Sequence, residues 1–131
     1  MARVSWATIS TGVFANQDNS MVIENPLSII KLESIPSLFT FYLAFSVIEM
    51  NETREYVMNV EVGKEDGEKI VDVSLNIDHV YDENNPLDVF MSDATLSNVR
   101  FAEEGVYYAK INVDNSSNPH IIYFIVRKVG D

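Results

Sequence analysis

The stretch EEGVYYAKINVD, Glu103 to Asp114, decides how the rest of the chain is read. In an extended strand, side chains two apart share a face. Tyr107, Ala109, Ile111 and Val113 then form an apolar face, and Tyr108, Lys110, Asn112 and Asp114 form a wetter one. Gly105 stands just ahead of the run. A tyrosine that opens such a strand buries its ring and sends its hydroxyl back to an upstream backbone carbonyl. Ala109 leaves a small volume beneath larger neighbours such as Phe41 or Phe45.

The same alternation extends outward. Val71, Val73, Leu75 and Ile77 alternate with Asp72, Ser74, Asn76 and Asp78, and Tyr56, Met58, Val60 and Val62 alternate with Val57, Asn59 and Glu61. The loop Gly63-Lys64-Glu65-Asp66-Gly67 joins these two runs into a hairpin. Phe39, Phe41, Leu43, Phe45 and Val47 line one face of a longer strand, and the smaller or more polar alternates Thr40, Tyr42, Ala44 and Ser46 place it near the centre of a sheet. Further strands are expected at Leu27 to Glu33, between Pro26 and Pro36, at Thr95 to Phe101 and at His120 to Lys128. Arg3 to Ile9 is expected as the first strand, with Val4, Trp6 and Thr8 on one side, followed by a polar turn at Asn16 to Ser20. No amphipathic helix is expected. The expected fold is all-β: one domain, residues 1–131, built as a two-layer antiparallel β-sandwich of about eight or nine strands.

In immunoglobulin-type sandwiches a tyrosine stands two residues before the second disulfide cysteine. Here Ala109 occupies that cysteine position, so the sandwich is expected to be immunoglobulin-like, with the tyrosine corner kept and the bridge omitted. Burial of a ring and one hydrogen bond do not depend on oxidation. The run from Asn25 to Phe45, NPLSIIKLESIPSLFTFYLAF, the Asp66-Gly67 hairpin and the Gly105-x-Tyr107 strand start together resemble a family of short uncharacterised bacterial and phage β-sandwich proteins. The likeness covers about three quarters of the chain. It implies a fold and carries no catalytic residue.

The chain has no cysteine, which removes disulfides, thiolate catalysis and thiolate metal sites together. A reducing compartment, the cytoplasm, is the expectation. The apolar run Leu38 to Ile48 is too short to span a bilayer as a helix. The net charge of −11 is concentrated. Residues 49–104 hold fifteen acids and four bases, whereas the flanking segments nearly cancel. Nucleic acid and anionic membranes are therefore not expected partners.

His79 and His120 lie far apart in sequence, and no zinc, nucleotide or nucleophile-elbow motif occurs. Paired carboxylates could serve glycosidase chemistry, but that needs an aromatic sugar cleft, and the single tryptophan is Trp6. No enzyme activity and no cofactor are expected. Asp78, Asp82, Glu83 and Asp88 form an acidic loop able to offer oxygens to calcium, though without EF-hand spacing. Glu61, Asp72, Asp78, Asp82 and Glu83 are the candidate interaction residues. In His120 to Lys128, Ile121, Tyr123 and Ile125 lie opposite Ile122, Phe124 and Val126, so burial on both faces and a homo-oligomer are expected. The expected role is a non-enzymatic protein-interaction or structural module. The alternative is an acidic, phage-type inhibitor or decoy that occupies the basic groove of a host protein.

Overall fold

The computed structural model describes residues 1–15 and 20–130; Asn16 to Asn19, most of the expected polar turn, lie outside the described residues. Nine strands are present and, among the described residues, no helix. In chain order they are β1 (Arg3–Ala15), β2 (Met21–Pro26), β3 (Ile29–Leu32), β4 (Ser37–Ile48), β5 (Arg54–Lys64), β6 (Lys69–His79), β7 (Phe90–Phe101), β8 (Gly105–Val113) and β9 (His120–Lys128). They form a four-stranded sheet, β2-β1-β4-β7, and a five-stranded sheet, β3-β9-β8-β5-β6.

The expected hairpin is β5–β6, paired without a break from Arg54 opposite His79 to Val62 opposite Val71. The long aromatic run is β4, which lies between β1 and β7 as its small alternates require. Phe41, Leu43, Phe45 and Val47 are buried on one side, and Ala44 and Ser46 are buried on the other.

Three expectations need correction. The pairing is not wholly antiparallel, because β3 runs parallel to β9. The reason lies at Leu27 and Ser28. Leu27 N–H still donates to Ile9 of β1 at 2.8 Å, and the carbonyl of Ser28 already accepts from Ile125 of β9 at 2.9 Å. The chain thus changes sheets in one step, which splits the expected Leu27–Glu33 strand and enters β3 in the direction of β9. In addition, β1 is bulged between Val4 and Trp6. A bulge adds one residue and reverses the faces beyond it. Val4, Ala7 and Ile9 therefore pack on the core, while Trp6 and Thr8 do not. Finally, Asp114 lies just past β8 and opens the following turn.

The two sheets meet through rings. Phe41 of β4 lies 6.2 Å from Phe101 of β7 and 6.1 Å from Phe124 of β9, measured between centroids. Tyr107 of β8 meets Phe101 edge-on at 5.1 Å and Phe124 at 5.9 Å. Its hydroxyl donates to the carbonyl of Glu103 at 2.7 Å, in the segment that crosses from β7 to β8. Ala109 is wholly buried beside this cluster of strands.

Candidate interaction surface

One surface of the five-stranded sheet faces away from the core. Register places Ile29 beside Ile125, and Ile125 beside Val106. Tyr123 pairs with Tyr108, and Ile121 with Lys110. Lys110 pairs in turn with Glu61, and Glu61 with Asp72. The face is thus divided. Its β3-β9-β8 half is apolar, with Lys31 and Arg127 at the margin, and its β5-β6 half is polar and acidic.

The apolar half is uncovered. Tyr123 is 60% exposed, and Val106, Ile121 and Ile125 are each above 40%. On the opposite face of β9, Phe124 and Val126 are buried and Ile122 is partly buried. The expected burial of both faces is therefore met on one side only.

The acidic half is tied together rather than left as free charges. Lys69 Nζ lies 3.3 Å from Asp72 and 3.6 Å from Glu61, so a cation separates two carboxylates that oppose each other across β5 and β6. Asn59 Nδ2 donates to Asp72 at 2.9 Å, and this bond, with Lys69, holds the Asp72 carboxyl below its ordinary range. The Tyr108 hydroxyl donates to Glu61 at 2.6 Å. That bond and partial burial push the Tyr108 phenol up to about 12. The sequence marked Glu61 and Asp72 as acids. It carried no signal for Lys69, Asn59 and Tyr108 as their partners, because those partners come from across strand pairs.

Asp78 also lies on the outer edge of this face, opposite Glu55. Asp82, Glu83 and Asp88 lie in the exposed connection that follows β6. There the Asp82 carboxylate accepts from the N–H of Asn84 at 2.9 Å, which shapes a turn. Among the described residues, no three His, Asp or Glu side chains gather where a metal ion could sit. The loop brings no such group to the calcium reading.

Two ionic ties missed in the sequence fix the ends of the β5 strand. Arg54 Nη2 lies 2.6 Å from Asp114, and Asp114 Oδ1 accepts from the N–H of Val57 at 3.2 Å. The Arg54 guanidinium holds the Asp114 carboxyl below the usual carboxylate range. Lys64, at the other end, reaches Asp66 at 3.1 Å and Glu103 at 3.2 Å, and both raise its ammonium above its ordinary value.

No protein-family model matches this chain, and no curated protein matches it. Solved structures do. A β-glucosidase from Erythrobacter marinus superposes with a TM-score of 0.56 at 9% identity, over 97% of this chain and 15% of the other. A β-glucosidase from Listeria innocua superposes with a TM-score of 0.50 at 7% identity, over 95% of this chain and 16% of the other. At such identity the likeness is one of fold, and this chain spans about one seventh of each enzyme's length.

Proposed function

We propose that this chain is a non-enzymatic protein-interaction module of immunoglobulin-like β-sandwich form, which docks a partner protein through the outer face of its five-stranded sheet. The observation that carries the reading is the uncovered row of Ile121, Tyr123, Ile125 and Val106 on the outer surface of the sheet. Aromatic and aliphatic anchors of this kind supply affinity at protein interfaces. The Tyr107 corner supports the immunoglobulin-like form. The β-glucosidase likeness supports the module reading, since the fold matches a minor part of a much larger chain. The adjoining Glu61, Asp72 and Asp78 select a partner with a basic flank and speed its approach. A phage-type inhibitor that fills a basic groove is the narrower form of the same proposal.

The test is an affinity capture from the native cell at low and high salt, run beside a variant with Ile121, Tyr123 and Ile125 changed to Ser. The expected result is a basic protein held by the wild type, released by salt and absent with the variant. A partner retained equally by the variant, or indifferent to salt, would sink the reading.

Self-association is a second reading. Lys31 and Arg127 give the same face a basic margin that can meet the acidic half of another copy. Light scattering checks it: a strict monomer at high protein concentration removes it.

A further inference from the structure

We propose that the seam between β6 and β7 is a strand-addition site, which takes an extended segment of alternating apolar and basic residues as a new strand beside β6. This seam shares the rim acids Asp72 and Asp78 with the outer face but none of its β8–β9 anchors, so either reading can fail alone.

Val71, Val73 and Leu75 pair with Val62, Val60 and Met58, which are wholly buried. They therefore point to the inner side of the sheet. Yet Val73 is 41% exposed. The facing sheet ends at β7, and among the described residues no strand lies outside either β6 or β7. The two edges leave a cleft of about 530 Å³ between them, with Val73 and Leu75 on one wall and Leu96 and Val99 on the other. On the opposite flank the sheets are joined directly through Leu27 and Ser28.

An uncovered strand edge is a template for another chain, and proteins usually blunt it with proline, bulges or lysines. The β7 edge is blunted. Register shifts between its Leu96 and Val99 pairings, and Asn98 there has φ of 52°. The β6 edge is blunted only at its start, by Lys69 and a register shift before Val71; from Val71 to His79 it has no proline, no lysine and unbroken pairing with β5. β6 is therefore the strand that would accept main-chain hydrogen bonds, with the cleft receiving alternate side chains.

Charge names the occupant. A strand beside β6 places its other side chains along the outward row that runs from Asp72, already held by Lys69 at 3.3 Å, to Asp78, while Asp93 stands on the far rim of the cleft. Opposite charges on neighbouring strands attract, and like charges repel. Apolar residues inward and lysine or arginine outward complete the fit.

The probe is a capped peptide of about eight residues that alternates valine and lysine, a length typical of strands. The controls are its valine–glutamate counterpart and a copy N-methylated at alternate backbone positions. Expected are saturable binding, slowed amide exchange across residues 70–77, and weakening of about tenfold on raising salt past screening strength. The glutamate and N-methylated peptides should bind at least about tenfold less, since one lacks charge fit and the other lacks donors. Val73→Lys should abolish binding, and the triple Ser variant of Ile121, Tyr123 and Ile125 should leave it intact. Equal binding of the N-methylated peptide would overturn the proposal without reliance on any variant. Protection on β7 or on the β8–β9 face, or a dimer of this chain that Val73→Lys dissolves, would overturn it too.

Discussion

At Gly105 a missing side chain makes room for a neighbour. Its φ is +148°, and a Cβ built there would stand 2.7 Å from Lys64 Cε. The lysine stem crosses this point on its way to Asp66 and Glu103. Gly105→Ala should therefore lower stability by about 1–3 kcal/mol through backbone strain, read from denaturant unfolding. Tyr107→Phe removes the bond to Glu103 and should cost about 1 kcal/mol, because the ring stays buried and one carbonyl loses its donor. The Tyr108 phenol, raised to about 12 by Glu61 and burial, favours the neutral form when folded. Its contribution is complete below the unfolded value near 10 and is lost as pH rises through the folded one. Ultraviolet titration of phenolate should show a late step, and Tyr108→Phe should shrink it, the remainder belonging to Tyr107, whose phenol is also raised by burial. Asp114 works in the opposite sense. Arg54 depresses its carboxyl, so its contribution is complete above about 3.9 and fades as pH falls through the folded value. Asp114→Asn should flatten the loss of melting temperature in acid.

Among elements, β4 and the β5–β6 hairpin carry the contrast between core and surface. Phe41 is wholly buried among the rings of Phe39, Phe101 and Phe124. Phe41→Ala should cost about 3–5 kcal/mol, measured by urea unfolding. Asp72→Asn on the wet face should leave the melting temperature nearly unchanged; comparable effects at the two sites would mean the faces are assigned wrongly. These elements were legible in the sequence because period two is unbroken in them. β1 was not, since the bulge at Ser5 shifts the phase and sends Trp6 to the other side. β2 escaped notice as MVIENP, a short edge strand that ends in proline. The first half of β7 did too, because Phe90 to Ala94 continues the strand past a loop rich in acids. Of the interaction face, Ile121, Tyr123 and Ile125 were legible as a stripe. That they lie beside Glu61 and Asp72 follows from the order β9-β8-β5-β6, which depends on pairing between distant segments.

For the whole molecule, most of the fifteen acids of residues 49–104 lie in β5, β6, β7 and the connections between them, while Glu49 meets Arg3 of β1 and Glu104 accepts from Lys128 of β9. Mutual repulsion among these acids opposes compaction. Added sodium chloride should raise the melting temperature until the Debye length is near 8 Å at about 0.15 M, and level off beyond. A melting temperature that falls over this range would contradict the picture. The parallel pairing of β3 with β9 also has a consequence for assembly. Residue 29 must find residue 125, and Phe124 supplies a ring to a cluster otherwise drawn from β4, β7 and β8. Such distant pairings make folding slow. On the ribosome, everything up to β8 waits with its aromatic interior open until the ninth strand has emerged, so these nascent chains should depend on chaperones late in synthesis.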